Sequence, residues 1–359
     1  MLDVQNLNVA LGKFKLSEIS FQLEKATSFV ILGPSGSGKT TLLKSILGLV
    51  KVNSGKIVYE GKDITYLPPE KRCIAYVPQK LALYPHMTAY ENIRYPLKIQ
   101  KLPKEEQKRR IKDVLEFMEM WEKRDVYPHQ LSGGEAQRVS IARALTLDWP
   151  LILMDEPLIG IDAPKAKKIR KQIREAIKKY DKTVMYVTHH LGEAAELGMR
   201  IAIMNNGRIE RISTPTKLTN DPKSRFVAEL LNLENIFTVE FRKEKNACYG
   251  IITKKSGDKI RLCLPYTEKY KDREKVTIAI SPDSISISTK AITGISARNI
   301  LQGKIKTITK FFENPYRVVV DCGIEITAII TQLAQDELKL EEGKEVYMIF
   351  KTSSIRYLD

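Results

Sequence analysis

The sequence has few cysteines and no long hydrophobic run. Its four cysteines, Cys73, Cys248, Cys263 and Cys322, form no CxxC pair and adjoin no histidine at the spacing of a zinc site. We therefore expect reduced, buried thiols rather than a disulfide framework or a structural zinc. No uninterrupted apolar stretch approaches the roughly 18 residues of a membrane-spanning helix, and we find no secretory signal at the N-terminus. These absences predict a soluble intracellular protein, which would reach a membrane only by binding a protein that spans it.

The composition is otherwise that of a globular protein with an excess of positive charge. Hydrophobic residues make up 43% and charged residues 28% of the 359 residues, so the chain can build hydrophobic cores and is not disordered. This length favours about two domains. The 59 lysines and arginines outnumber the 43 aspartates and glutamates by 16, which favours an anionic partner such as nucleotide, nucleic acid, oxyanion or lipid headgroup.

Alternating strand and helix patterns in the first part of the chain predict a parallel α/β domain. An apolar strand at 28–32 runs into a glycine-rich loop and then into a helix at 40–49. Two further buried strands are predicted at 151–154 and 183–188, on either side of a basic amphipathic helix at 165–180. A charge run of this kind is typical of a solvated helix face, so it does not by itself indicate a nucleic-acid surface.

The remaining pattern predicts a helical subdomain and a second, all-β domain. Between residues 88 and 147 the pattern is mostly helical. From about residue 220 it changes to short alternating runs separated by glycines and an Asn-Pro pair, which is typical of a small β-barrel or sandwich. We place the boundary near residue 235, which gives predicted domains of residues 1–235 and 236–359.

Residues 33–40 read Gly-Pro-Ser-Gly-Ser-Gly-Lys-Thr and fit the phosphate-binding pattern G-x-x-x-x-G-K-[ST], with a predicted strand before them and a helix after them. Glycines allow backbone N–H groups to converge on phosphates, Lys39 can reach the β- and γ-oxygens, and Thr40 can ligate Mg²⁺. The pattern therefore predicts binding of ATP with Mg²⁺. The predicted nucleotide-binding residues are Gly33, Pro34, Ser35, Gly36, Ser37, Gly38, Lys39, Thr40 and Thr41.

Two carboxylates follow the buried strand predicted at 151–154. Asp155 is predicted to hold the magnesium through water, and Glu156 is placed to polarise the water that attacks the γ-phosphate. Taken alone, the pair fits an exposed acidic turn equally well. The phosphate-binding loop elsewhere in the chain favours the catalytic interpretation.

Residues 131–137 read Leu-Ser-Gly-Gly-Glu-Ala-Gln and resemble the signature of the ATP-binding-cassette (ABC) ATPases. Ser132, Gly133 and Gly134 open a helix and offer donors without side-chain obstruction, which suits an anion. The resemblance implies that these three residues bind the γ-phosphate of nucleotide held by the opposite subunit. It therefore implies a head-to-tail homodimer with composite ATP sites.

Other positions resemble further elements of the same family. Gln79, in the peptide Tyr-Val-Pro-Gln, resembles the glutamine that senses magnesium and the attacking water, in a loop that touches the membrane partner. His189, after the strand predicted at 183–188, resembles the switch histidine that contacts the γ-phosphate. Asp162 matches the aspartate of the family's loop that follows the two carboxylates, and the resemblance implies that it belongs to the nucleotide-binding residues. Phe14 is our candidate for the aromatic that stacks on adenine, because Leu11 occupies the first position where an aromatic is expected.

The second domain resembles regulatory modules of importer ATPases of the TOBE/MOP, oligomer-binding-like type. Residues 295–299 read Ile-Ser-Ala-Arg-Asn, and with 326–331 and 350–355 they resemble a molybdate-binding (molbindin-like) domain. Hydroxyl, N–H and cationic donors together suit a tetrahedral dianion. The alternative is that these are ordinary surface residues of a β-barrel. The oxyanion-binding residues implied by the resemblance are Ser296, Ala297, Arg298, Thr331, Lys351 and Thr352.

The resemblance implies the ATP-hydrolysing subunit of a molybdate or tungstate importer, bound to permease subunits at the cytoplasmic side of the cell membrane. An extracytoplasmic solute-binding protein would deliver the cargo, and oxyanion bound to the second domain would inhibit transport. One alternative is the same machine with sulfate, a sugar or a polyamine as cargo. Another is a nucleic-acid-associated ABC ATPase. We expect no nucleic-acid partner, because only 91 positions without a heptad run separate Thr40 from Leu131.

Overall fold

The computed structural model describes residues 1–220, 222–231, 233–244, 247–254, 257–270, 272–310 and 315–358. These residues form two compact units, Met1–Pro215 and Thr216–Asp359. Within the described ranges no helix combines the length and the apolar character that a membrane crossing requires.

The first unit contains two sheets and a set of helices. Its strands are β1 (Leu2–Leu11), β2 (Phe14–Leu23), β3 (Ser28–Leu32), β4 (Ser54–Tyr59), β5 (Lys62–Asp63), β6 (Ala75–Val77), β7 (Leu151–Asp155), β8 (Thr183–Thr188), β9 (Arg200–Asn205) and β10 (Arg208–Ser213). Its helices are α1 (Lys39–Leu47), α2 (Ala89–Ile99), α3 (Lys104–Phe117), α4 (Gly133–Leu145), α5 (Ala163–Lys179) and α6 (Leu191–Leu197).

The central sheet has the strand order β10-β9-β3-β8-β7-β6. Its strands pair in parallel, except that β10 is antiparallel to β9. Every residue of β3, β7 and β8 is buried, as expected for parallel strands covered on both faces. The loops after β3, β6, β7 and β8 therefore meet at one edge of the sheet, because parallel strands place their carboxyl ends on the same side.

An antiparallel sheet of order β2-β1-β4-β5 packs with the central sheet around helix α1. Leu42, Leu43 and Ile46 of α1 are fully buried and share one hydrophobic core with residues of both sheets, such as Leu7 and Ile31. This position explains why Leu42, Leu43, Ile46 and Leu47 of α1 are apolar. It also holds rigidly the helix that begins at the glycine-rich loop.

A buried arginine caps the C-terminal end of α1. Arg72 is 3% exposed, and no described carboxylate lies within ion-pair distance of it. Its guanidinium instead donates hydrogen bonds of 2.7 to 3.0 Å to the backbone carbonyls of Ser45, Ile46, Thr65 and Leu67. Burial lowers the pKa of Arg72 from its ordinary value. Since Ser45 and Ile46 belong to the last turn of α1, the cation caps the helix where carbonyls have no helical partner.

The second unit is mostly β-structure. Its elements, including the helix that begins at the last residue of the first unit, are α7 (Pro215–Asn220), α8 (Arg225–Leu230), β11 (Asn235–Glu244), β12 (Ala247–Thr253), β13 (Lys259–Leu264), β14 (Lys275–Ile280), β15 (Ser286–Ser288), β16 (Asn299–Lys310), β17 (Tyr316–Asp321), β18 (Glu325–Ile330), α9 (Gln332–Leu338), β19 (Glu345–Phe350) and β20 (Ile355–Leu358). Two antiparallel sheets, of order β13-β12-β11-β14-β20 and β15-β19-β16-β17-β18, enclose one hydrophobic core.

Two buried asparagines connect these sheets. The side-chain amide of Asn299 accepts from the N–H of Cys263 at 2.8 Å and donates to its carbonyl at 3.1 Å. Asn235 makes the same pair of bonds with Thr327, at 2.7 and 2.9 Å. Cys263 lies on β13 and Thr327 on β18, which are edge strands. Each amide thus binds an edge strand in the way that a neighbouring peptide group would.

The structure confirms the predicted fold class, an α/β domain with a helical subdomain followed by an all-β domain. The helical subdomain contains α2, α3 and α4. The prediction of buried thiols is wrong for Cys73, which is exposed, and Cys263 is only partly buried. The domain boundary near residue 235 stays a prediction; the compact units divide at residue 215, so that α8 lies in the second unit.

Candidate functional site

The glycine-rich loop of residues 33–40 connects β3 to α1. A Cβ atom on Gly33 would lie 2.2 Å from the backbone oxygen of Met204, so only glycine fits there. Gly38 has φ 102°, a conformation that favours glycine, and it precedes the first residue of α1 without a side-chain cap. The first N–H groups of α1 therefore point into the loop with no capping side chain, which is the arrangement that binds phosphate.

Lys39 lies across this loop and is only 5% exposed. Its ammonium group donates to the carbonyls of Gly33 and Pro34 at 2.9 Å each and lies 3.6 Å from Glu156 Oε1. Burial lowers the pKa of Lys39, and the charge of Glu156 opposes that shift. A cation enclosed by carbonyls and one carboxylate can exchange these contacts for phosphate oxygens.

Asp155, the last residue of β7, forms the floor of the site. It is 2% exposed, and its carboxylate accepts hydrogen bonds from Thr40 Oγ1 at 2.9 Å and from the Tyr76 hydroxyl at 3.3 Å. Burial raises the pKa of Asp155, and these two donors oppose the shift. A hydroxyl and a carboxylate oxygen at this distance are hard oxygen ligands of the kind that Mg²⁺ shares with nucleotide phosphates.

Glu156 projects between Lys39 and His189. Its backbone has φ 44°, which is uncommon for a residue with a side chain, and its N–H donates to the carbonyl of Val187 at 3.0 Å. The strained backbone turns its carboxylate away from β7, with Oε1 near Lys39 and Oε2 3.1 Å from His189 Nδ1. The Oε2–Nδ1 contact has ion-pair distance without hydrogen-bond geometry, since Nδ1 has no hydrogen-bond partner.

Of the side chains described above, Lys39, Thr40 and Glu156 line a cleft of about 410 Å³, whereas Asp155 and His189 are not part of its lining. The residues that line it are Leu11, Phe14, Ser35, Gly36, Gly38, Lys39, Thr40, Thr41, Gln79 and Glu156. The structure thus brings together the glycine-rich loop, Gln79 and Glu156, which follow strands that are distant in sequence. Phe14, the candidate for the adenine contact, packs beside Gly38 and lines the cleft, as does Leu11.

The signature residues do not line this cleft. Ser132 precedes α4 and its N–H donates to the carboxylate of Glu135 at 3.0 Å. Lys123 lies 2.6 Å from the same carboxylate, and together these donors, Lys123 first, lower the pKa of Glu135 to about 2. Ser132 and Gly133 are exposed at the start of the helix, whereas Gly134 is buried. The helix start is therefore presented on the surface of the same unit.

Asp162 is a neighbour of the signature rather than of the cleft. It caps α5 by accepting from the N–H of Lys165 at 3.1 Å, and the Lys165 side chain lowers its pKa. A Cβ atom on Gly134 would lie 3.4 Å from Cδ of Lys165, so the starts of α4 and α5 are adjacent. The surface predicted to act on a second subunit is thus contiguous.

A second groove, of about 360 Å³, lies beside the Gln79 loop. Its walls are largely apolar and aromatic and include Pro78, Tyr84, Tyr95 and Ile99. Tyr84 and Tyr95 pack with ring centroids 4.8 Å apart, and Ile99 is 63% exposed. Exposed apolar grooves of this kind are typical of interaction surfaces.

In the second unit, strand pairing brings part of the oxyanion set together. Asn299 at the start of β16 pairs with Phe350 at the end of β19, so Arg298 and Lys351 each lie one residue beyond the last pair of these two neighbouring strands. Ser296, Ala297 and Thr352 belong to the same two segments. None of the described pairings connects Thr331 with them: it follows β18, beside the far end of β16, and its hydroxyl caps α9.

The sequence reasoning did not predict the role of Tyr76. Its hydroxyl holds Asp155, and burial is the main reason that its pKa is raised. Tyr76 lies in the peptide that ends at Gln79, so its type and position were visible in the sequence. Its contact with Asp155, 79 residues further along the chain, was not visible in the sequence.

Comparison with known proteins gives the class. Residues 16–159 match the ABC transporter family, and residues 295–356 match the TOBE domain family. The dimeric structure of a post-hydrolysis state of an ATP-binding cassette, bound to ADP and Pi, is similar with a TM-score of 0.54 and 30% sequence identity. That similarity covers 60% of this chain and 99% of the cassette.

Relatives that match over nearly their whole length identify the group within this family to which the chain belongs. The molybdate/tungstate import ATP-binding protein WtpC of Pyrococcus horikoshii is 38% identical over 358 residues, which are 99% of each chain. The spermidine/putrescine import ATP-binding protein PotA of Nitrosomonas eutropha is 33% identical over 339 residues, 92% of this chain and 90% of that protein. The chain belongs to the ATP-binding subunits of ABC importers, which are ATPases coupled to transport. The resemblance noted in the sequence is thereby confirmed.

Proposed function

We propose that this chain energises the import of molybdate or tungstate. The observation that carries the proposal is the 38% identity to WtpC, because it runs through 99% of both chains and includes the second unit. The match to PotA supports a second candidate cargo, a polyamine. The two cargoes carry opposite charges, so the charge of a cargo-binding site in the second unit would favour one over the other.

The pair formed by Arg298 and Lys351 favours an anion. Two adjacent cations flanked by the hydroxyls of Ser296 and Thr352 suit a tetrahedral dianion and would repel a polyamine. We therefore assign the oxyanion contact to the segments 296–298 and 351–352. Thr331 would join this contact only from another chain or after a rearrangement. Oxyanion bound here would favour the open state and lower transport.

Calorimetry on the full chain with tungstate, molybdate, sulfate and spermidine tests the cargo. We expect tungstate and molybdate to bind, and Arg298→Ala or Lys351→Ala to weaken binding at least about tenfold, the typical effect of losing a charge-assisted contact. Lys304→Ala, an exposed lysine further along β16, is the matched control. Deletion of the gene in its host should lower cellular tungsten or molybdenum. Loss of spermidine uptake with unchanged metal content would contradict the proposal.

For hydrolysis, we assign each residue of the cleft a role. Lys39 and the first N–H groups of α1 bind the phosphates, and Thr40 with Asp155 would hold Mg²⁺, which supplies charge neutralisation to the phosphates. Glu156 orients the attacking water and accepts its proton, while Gln79 and His189 complete the γ-phosphate surroundings.

The ATP sites would be composite. Ser132, Gly133, Gly134 and Asp162 form a surface outside the cleft, and the similar cassette structure is a dimer. We infer a head-to-tail homodimer in which this surface covers the partner's cleft. Mixing Lys39→Ala protein with Ser132→Arg protein tests it: each is expected to be inactive alone, whereas the mixture forms heterodimers with one intact site. No recovery in verified heterodimers would refute the arrangement.

The groove beside Gln79 would bind a permease subunit, which would hold the chain at the cytoplasmic side of the membrane. Tyr84→Asp should reduce co-purification with the permease while leaving the basal ATPase rate of the isolated chain unchanged.

With the intact transporter, molybdate or tungstate should lower ATPase activity, and Arg298→Ala should remove that inhibition. A rate that stays constant across the binding range would exclude regulation by the second unit.

A further inference from the structure

A buried hydrogen-bond network lies directly behind the histidine loop. Oε2 of Glu193, in the first turn of α6, accepts hydrogen bonds from the Tyr186 hydroxyl at 2.9 Å and from Thr188 Oγ1 at 2.7 Å. Thr188 Oγ1 in turn accepts from the backbone N–H of His190 at 3.0 Å. A continuous chain of bonds therefore runs from the glutamate through the threonine to the backbone that flanks His189.

The network is dry. Tyr186 is fully buried, Thr188 is 1% exposed and Glu193 is 9% exposed. Burial, with the charge of Glu193, raises the pKa of Tyr186 well above its ordinary value, so the hydroxyl remains a donor. In such surroundings a carboxylate that loses its donors, or hydroxyls that lose their acceptor, would be left unsatisfied at high cost. The three side chains are consequently confined to one arrangement.

The loop held in this way carries His189. Residues 189 and 190 are the whole connection between β8, which ends at Thr188, and α6, which begins at Leu191. Glu193 fixes Thr188, and Thr188 fixes the N–H of His190, so both sides of His189 are held. The ring of His189 packs against that of His190 in a tilted arrangement, with centroids 4.0 Å apart and an interplanar angle of 41°, and its Nδ1 lies 3.1 Å from Glu156 Oε2.

We propose that Glu193 is a positioning residue for ATP hydrolysis: through Thr188 it holds the His189 loop against Glu156. The inference rests on the role proposed above for His189. It predicts that loss of the Glu193 carboxylate slows the chemical step, because the histidine no longer occupies one place, but leaves nucleotide binding intact, because the phosphate loop is untouched. A displacement of about 1 Å in a group near the reacting atoms is enough to cost up to 100-fold in rate.

Steady-state ATPase kinetics of the full chain test the proposal. We expect Glu193→Ala to lower kcat at least about tenfold, within the range that misplacement can produce, with KM for ATP changed less than about twofold. Glu196→Ala is the matched control: it removes a carboxylate one turn further along α6 that pairs with Arg170 and Arg174, and its kcat should stay near that of the unmodified chain. Equal kcat values for the two variants would overturn the proposal.

Conservative variants separate positioning from folding. Glu193→Gln keeps an oxygen that accepts from both hydroxyls and should restore most of kcat, whereas a glutamine variant as slow as the alanine variant would refute the hydrogen-bond role. If Glu193→Ala fails to fold, Thr188→Val removes the central hydroxyl with little change of shape and should show the same kcat defect. Thr188→Ser, which keeps the hydroxyl, should not show it.

Histidine NMR gives a readout that does not depend on activity. The chain has four histidines, so the ring signals of ¹³C-labelled histidine can be assigned by single substitutions. Glu193→Ala should shift or broaden the signals of His189 and His190 and leave those of His86 and His129 in place. Unchanged His189 signals would overturn the positioning role. If instead His189→Ala retained full kcat, the role of His189 in the proposed function would fall, while the NMR result would still decide whether Glu193 holds the loop.

Discussion

Replacing Arg72 by methionine should strongly destabilise the first unit, although the residue lies outside the cleft. Its guanidinium makes four hydrogen bonds to backbone carbonyls, and those of Ile46, Thr65 and Leu67 accept no other described hydrogen bond. Each buried acceptor left unpaired costs about 1–3 kcal/mol. Methionine fills the space without burying a charge, so we take the lower part of that range for each of the three acceptors and expect the free energy of unfolding to fall by about 3–5 kcal/mol.

Tryptophan fluorescence can follow this unit selectively, because both tryptophans, Trp121 and Trp149, belong to it. For about 150–250 residues each kcal/mol lowers Tm by about 2–4 °C, so Arg72→Met should lower the transition by about 10 °C. Lys182→Met is the graded control, since Lys182 is also buried but donates to only two carbonyls, at 2.7 and 3.1 Å. It should show about half the effect.

The Tm values of Arg72→Met and Lys182→Met, compared with each other, test whether the carbonyl contacts of Arg72 stabilise the unit. If Arg72→Met lowered Tm no more than Lys182→Met, the carbonyl contacts at the end of α1 would not be what stabilises the unit. Arg72→Lys should lie between the unmodified chain and Arg72→Met, because lysine keeps the charge but lacks the planar fork that reaches four acceptors.

Three further predictions concern the cleft and the signature. Glu156→Gln should reduce turnover at least about 100-fold, as expected for loss of a general base, with ATP binding by fluorescent-nucleotide titration unchanged; near-normal hydrolysis would remove Glu156 from its role. Gly38→Ala should weaken ATP binding and lower Tm, because its Cβ would lie 2.5 Å from Phe14 Cζ in a backbone conformation of φ 102°; normal ATP affinity would contradict the tight loop. The lowered pKa of Glu135, chiefly due to Lys123, contributes stability above about pH 4.5 that is lost as pH falls towards about 2. Glu135→Gln should therefore flatten the dependence of Tm on pH between those values, and an unchanged slope would exclude the contact as its source.

The parts of the site that depend on adjacent residues were predictable from the sequence. The phosphate loop needs particular residue types at consecutive positions, and the helix predicted at 40–49 is observed as α1, ending before Gly48 with φ 80°. The strands predicted at 151–154 and 183–188 are observed as β7 and β8, since short, largely apolar runs are typical of a buried parallel sheet. The cleft brings their ends together as the parallel topology requires.

The antiparallel sheet of the first unit was missed for a physical reason. β1 and β2 are amphipathic, but their pairing shifts register between Val4 and Leu7 and again between Leu7 and Val9. Asn6 and Glu18 adopt positive φ at these irregularities. Each shift interrupts the two-residue alternation by which a strand is recognised, so the apolar pattern does not read as a strand.

Partners that are distant in sequence could not be predicted either. The hydroxyl of Tyr76 meets Asp155, and Arg72 meets the end of α1, only after the sheets are assembled. The same holds in the second unit, where the resemblance implied one oxyanion set, whereas the pairing of β16 with β19 ends one residue before Arg298 and Lys351 and does not include Thr331.

The amides of Asn235 and Asn299 have a consequence for the behaviour of this protein in a crowded cell. A sheet edge with free N–H and C=O groups can recruit a strand from another molecule, which is how fibrils and swapped oligomers begin. At Thr327, in the middle of β18, and at Cys263, next to the last residue of β13, both backbone groups are already occupied by a side chain. Each asparagine thereby makes the edge strand that it binds a poor template for unwanted association. Changing either asparagine to leucine would leave the backbone groups of that edge strand free to pair with another molecule before it affected ATP hydrolysis.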